Sequence, residues 1–316
     1  GYADRNGRYA IRFGNDGLPG VYVRVFTETN RDDGLRNVAV RNHPKFGIVY
    51  SYAAPAFTED PKAPTHLTID IPEQQNELTM AGAFNIFDVV VRGHDLIRRM
   101  TGKDLGVLDV YWQTGADVTE TKYCSKKRYD DGFCAHLGTL SIQGRDDDRD
   151  EYDDCVILQE LFRFAHDQIS ISDDPGGFAD GSRIDPLTAW GNGVSMFFAA
   201  HTLKIPYFLN KNRFGVYRLF ELEPMSSSFA YGTSNASMDG RLSEYLVAAA
   251  LWDLADGGSL PSADGDSVDD GGLGIYDSVF NYLSKPLLGG DARGVVGRDF
   301  VDFLDGWFCR GHGQEQ

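Results

Sequence analysis

The sequence predicts an α+β protein, with a small N-terminal β-sandwich-like module over residues 1–75 and a mostly α-helical domain over residues 76–316. Up to about residue 70, short runs alternate apolar and polar side chains or are β-branched, and turn formers separate them. Beyond that point, long segments repeat apolar residues with a helical period. The chain has 316 residues, 42% of them hydrophobic and 20 of them Phe, which is enough to bury a sizeable core.

The expected strands are Tyr9-Ala-Ile-Arg-Phe13, Val21 to Phe26, Gly47 to Tyr52 and His66 to Asp70. Turns fall at Asn15-Asp-Gly17, at Asn30 to Gly34 and at Ala54-Pro55. Residues 71–77 read as the hinge into the helical domain. A helix over 80–100 carries Phe84, Phe87, Val90 and Val91 on one face, with Arg98 and Arg99 near its C-terminus, where the dipole favours cations. Strands follow near 107–113 and 137–142. The acidic run 145–154 precedes the next helix, and its carboxylates suit N-terminal capping. A Ca²⁺ loop is the sharper alternative, but the D-x-[DN]-x-[DN]-G spacing is missing. Helices over 155–169, 189–203 and 240–255 complete the domain, and the Gly/Asp/Ser-rich stretch 257–274 reads as a mobile loop.

The helix over 155–169 is the informative one. Ile157, Leu158, Leu161, Phe162, Phe164, Ala165 and Ile169 form its apolar surface, and Gln159, Glu160 and Arg163 share the remaining face. Its context is Val156-Ile-Leu-Gln159-Glu160-Leu-Phe162-Arg163, then Ser172-Asp-Asp-Pro-Gly-Gly177, then Asp185-Pro-Leu-Thr-Ala-Trp190-Gly-Asn192-Gly193. This resembles secreted bacterial gluzincin-like zinc metalloproteases, which read V-I-x-H-E-x-G-H, S-D-x-P-G-G and D-P-x-x-A-W-x-E-G. The resemblance covers about residues 78–290. It is extended by Ala81 to Val90, by Val107 to Trp112 and by Leu242 to Asp256. Asp4-Arg-Asn-Gly7-Arg-Tyr9 is similar to the first strands of transthyretin-like β-modules.

In such a family two His, four residues apart on one helical face, and a Glu from the second helix bind Zn²⁺, and the Glu beside the first His is the general base. The matching ligand positions here are Gln159, Arg163 and Asn192, while the base position keeps Glu160. Amides are poor zinc ligands, and a guanidinium has five donors and no acceptor. Phe162 replaces a small Gly as well. Three lost ligands and a bulky Phe point to a natural pseudoenzyme rather than to a single engineered knockout. The resemblance therefore implies a zincin-like helical domain without zinc and with a vestigial Glu160. Arg163 is expected to fill the vacated position and to contact Glu160 or Asn192. Trp190, Phe162, His166 and His201 are expected beside the cleft. An alternative reading rebuilds a metal site from His166, His201 and Glu160.

The formal charge of −17, from 47 acidic and 30 basic residues, disfavours nucleic acid and anionic membranes as partners. No apolar run reaches the roughly 20 residues that a membrane helix needs, and the chain opens without a signal-peptide pattern, as a trimmed or excised chain would. Cys124 and Cys134 flank a short Gly-containing stretch and suit a local disulfide, which leaves Cys155 to pair with Cys309. Four buried thiols are the alternative. Disulfides would imply an extracytoplasmic location. Asn235-Ala-Ser237 matches a glycosylation sequon. The expected function is binding or structural assembly, with a peptide or protein partner in the former substrate cleft and no cofactor. The alternative is a peptidase with a relocated metal, or an inactivated variant of an active peptidase.

Overall fold

The structure is a computed structural model. It describes residues 8–11, 22–29, 37–44, 47–56, 68–72, 74–75, 78–116, 118–125, 137–176, 181, 183–223, 242–256, 271–286 and 296–312. Cys134, the sequon at 235–237, the turns at 15–17 and 30–34, and residues 257–270 of the expected loop lie outside them.

The architecture is α+β. In the N-terminal part, β1 (Arg24–Phe26) pairs antiparallel with β3 (Ser51–Ala53). Between them in sequence, β2 (Asn37–Arg41) takes another course and runs parallel to β6 (Val107–Tyr111). The short pair β4 (Gln74–Gln75) and β5 (Leu78–Thr79) precedes the first helix. Val38 and Val40 are buried at 1% and 0% exposure, and the Arg41 guanidinium meets Asp109 at 2.9 Å. The central sheet therefore spans the expected boundary near residue 75. Its order is β2-β6-β8-β7, where β8 (Thr139–Ser141) is parallel to β6 and β7 (Lys122–Cys124) is an antiparallel edge. No strand includes the described residues 8–11 or 68–70.

Helix α1 (Ala81–Thr101) buries Ile86, Val89, Val90 and Ile97 against β2 and the next helix. It ends at Gly102, whose φ of +69° lets its N–H return to the Arg98 carbonyl. The hairpin of β9 (Gly144–Arg145) and β10 (Asp148–Arg149) and a 3₁₀ turn (Asp150–Tyr152) lead into α2 (Asp154–Ile169). The acidic run does not cap α2 as expected. Asp153 sits at the N-cap without a side-chain cap bond, because its carboxylate accepts from the Lys211 backbone N–H at 2.6 Å.

Helix α3 (Pro186–Leu203) starts earlier than its periodicity suggests. Asp185 accepts from the Leu187 and Thr188 N–H groups, and Pro186 occupies the first turn, where no N–H is needed. The hairpin of β11 (Tyr207–Asn212) and β12 (Gly215–Glu221) and helix α4 (Glu244–Asp253) follow. After them come α5 (Leu273–Asp277), a π-helical turn (Ser278–Tyr282) and α6 (Phe300–Cys309), which opens with an Asp299/Asp302 capping box. α3 lies between α2 and α4, so almost all of it is buried.

The expected Cys155–Cys309 bridge does not form, and both residues are free thiols. Cys155 is buried in the first turn of α2, whereas Cys309 is exposed at the end of α6, which packs on α3 and the π-helical turn. Cys124 is disulfide-bonded.

Candidate functional site

The polar face of α2 meets α3 at one side chain. Arg163 donates from one terminal nitrogen to Glu160 Oε1 at 2.5 Å, and from the other to Asn192 Oδ1. The i,i+3 spacing puts the first two on one helical face, and the packing of α2 on α3 brings the third. Asn192 is itself held, since its Nδ2 donates to the Thr188 carbonyl at 3.0 Å. Thr188 Oγ1 reaches the Gly176 carbonyl at 3.3 Å, which ties the loop before α3 to the same corner. A Cβ on Gly191 would stand 2.6 Å from Asp174 Cβ, so only glycine admits the Asp174 loop this close to α3.

The second oxygen of Glu160 accepts the Tyr123 N–H at 2.9 Å. Burial pushes the Glu160 carboxyl above its usual range, while the Arg163 charge and the Tyr123 N–H pull it back and the Glu120 and Asp174 carboxylates raise it further. A second tie lies about two turns along. The Tyr123 hydroxyl and Ser125 Oγ donate to Asp167 Oδ2 at 2.9 and 2.8 Å. Burial, followed by the Asp167 charge and hydrogen bond, raises the Tyr123 phenol.

Glu160, Arg163 and Asn192 thus come together. Gln159 is half-buried beside them and takes no part in this chain of bonds. The other residues expected at the cleft face the core. Phe162 packs on Phe198 and Phe280 with ring centroids 5.1 and 5.7 Å apart, and His166 lies 5.6 Å from Phe162. Trp190 stacks on Phe303 of α6 at 5.2 Å. Both positions follow from helical period, since each points roughly opposite to the polar stripe.

His201 belongs to a separate cluster. Its Nδ1 is 3.0 Å from the Tyr276 hydroxyl, its ring stacks on Phe197, and the Gly271 backbone supplies a further hydrogen bond. Burial lowers its pKa to about 4. The set His166, His201 and Glu160 is therefore not brought together. Among the described residues, no group of three or more His, Cys, Asp or Glu is arranged to hold a metal.

Zinc does not fit the residues at the three matching positions. Arg163 offers only donors there, and both polar atoms of Asn192 are already engaged. Tyr123 and Ser125 carry no sequence signal as site residues. The three-residue strand that delivers Tyr123 carries no periodic signal, although Asp174 does lie inside the quoted S-D-x-P-G-G-like run. No helix of the described residues is long and apolar enough to cross a membrane. No family model matches the chain, and no curated protein matches it.

Proposed function

We propose that the protein is a metalloprotease-like chain without peptidase chemistry, which binds a peptide or protein partner through the α2–α3 face around Arg163. The observation that carries this reading is the guanidinium between Glu160 and Asn192, in the place the resemblance assigns to a metal. A permanent cation there offsets the buried carboxylate that zinc would otherwise neutralise.

The site is also accessible from one side. The Arg163 side chain is 31% exposed while Glu160 is 5% exposed, so part of the Arg163 side chain reaches the surface where a ligand could pack. Strand β7 borders the same corner through Tyr123. An oxidising, extracytoplasmic setting belongs to the proposal, supported by the disulfide at Cys124.

The test combines metal content, peptidase activity and peptide-library selection on the unaltered protein, purified without chelator or His-tag. The expected result is zinc well below one per chain after dialysis against zinc, no cleavage of an unfolded substrate, and selected peptides that lose affinity for the Arg163→Met protein. One zinc per chain, together with hydrolysis abolished by Glu160→Gln, would overturn the reading.

A further inference from the structure

Strand β7 is the last strand of its sheet among the described residues, and it is fastened to α2 and the turn before it through three carboxylates. Asp150, Glu160 and Asp167 are 3%, 4% and 6% exposed. Glu160 and Asp167 hold Tyr123 and Ser125. Asp150 holds Thr121, just before the strand, in a closed ring of bonds. Gln143 N–H donates to Thr121 Oγ1 at 2.9 Å, Thr121 donates to Asp150 Oδ2 at 2.5 Å, and the Asp150 N–H returns to the Gln143 carbonyl at 3.1 Å. The other oxygen of Asp150 is buried without a hydrogen-bond partner.

Charge of the same sign surrounds Asp150. Asp148 comes from β10, Glu151 from its own turn and Asp153 from the start of α2. The nearby cations are committed elsewhere: Arg149 meets Glu151 at 2.6 Å, Lys211 lies by Asp153, and Lys122 meets Glu120 at 3.2 Å. From α1 the turn receives the neutral Asn85, which donates to the Glu151 carbonyl and to Asp154. An ionised Asp150 thus adds a buried negative charge with one hydroxyl as its hydrogen-bond partner, whereas a neutral Asp150 keeps the ring without that cost.

We infer that Asp150 is a proton-operated latch, which when neutral seats β7 against α2 and when ionised loosens the strand together with its turn. Burial, set against the Thr121 hydrogen bond and reinforced by the neighbouring carboxylates, pushes the Asp150 carboxyl up to about 7, which puts the change near neutral pH. The folded state then binds more protons than the opened one between roughly pH 4 and pH 7. Protection of β7 falls as pH rises through that window and levels off above it.

The test is hydrogen exchange on the full chain at pH 5.5 and pH 8.0, corrected for intrinsic rates and read in peptides covering residues 118–125 and 143–153. It needs no ligand, so its outcome is independent of the binding function proposed above. The wild-type opening constant is expected to rise on the order of tenfold or more between the two pH values, while peptides from α4 stay unchanged. Asp150→Asn keeps an acceptor for Thr121 and is expected to abolish the pH dependence. Thr121→Val is expected to open the strand at both pH values. A pH-independent wild type, or an Asp150→Asn protein that keeps the wild-type dependence, overturns the latch. Full protection restored at pH 8.0 by millimolar Ca²⁺ also overturns it, because the carboxylates would then be a cation site.

Discussion

Two of the buried polar residues of helix α3 are sealed in different ways. Asn192, in its first half, is bonded to a charged side chain of α2, and that guanidinium in turn neutralises Glu160. His201, in its last turn, has neutral partners, the Tyr276 hydroxyl and the Gly271 backbone. Burial drives both titratable groups towards their neutral forms, Glu160 upward and His201 down to about 4. Only Glu160 has a counter-charge opposing that drive. The difference separates a coupling device, in which losing one member strands a charge, from a structural contact that is complete with its ring uncharged.

The strongest way to break this comparison is to remove the counter-charge. Arg163→Met should cost about 3 kcal/mol in urea unfolding, since it leaves Glu160 buried and unpaired. Adding Glu160→Gln should recover most of that loss. If the single and double variants are equally destabilised, the cluster is not coupled.

The pH dependence sharpens the contrast from the other side. His201 has a depressed pKa, so its contribution is complete above roughly pH 6.5 and is lost as pH falls through 4. His201 by itself should cost roughly 2–3 kcal/mol on acidification over that window, at about 1.4 kcal/mol per pKa unit, opposite in sign to the contribution of Asp150. His201→Phe should remove that acid-side loss and leave the opposing one. A slope unchanged in that variant would place the titrating group elsewhere.

A smaller effect is expected from Tyr276→Phe. It removes one neutral hydrogen bond and should cost about 1 kcal/mol by thermal or urea unfolding. A loss as large as that of Arg163→Met would erase the distinction between the two ends of α3.

The smallest effect concerns the thiols. Cys309→Ser should alter stability by no more than about 0.5 kcal/mol while removing all native-state labelling by a thiol reagent. Cys155 is buried, and its thiol is pushed up to about 12, so it should react only after unfolding. Resistance of both residues to labelling in native protein would contradict the free thiols.

The parts legible in the sequence share one property, a signal contained within a short window. The helical period of residues 80–100, 155–169 and 240–255 corresponds to α1, α2 and α4, and the β-branched runs near 107 and 139 correspond to β6 and β8. Glu160 and Arg163 are an i,i+3 pair on one helix, so their contact could be read locally. The engagement of Asn192 needed the flanking motifs, which marked α3 as the partner of α2.

By itself the sequence determined the α+β class, the main helices, the charge balance, and the shared helical face of Gln159, Glu160 and Arg163. The tertiary structure alone decided that Asn37–Arg41 joins the sheet of β6, that Cys155 and Cys309 stay apart, and that Tyr123 closes over Glu160. The physical reason is range. Propensity and periodicity act between neighbours in the chain, whereas strand partners, burial and the state of a carboxylate depend on residues tens of positions away that only packing brings near.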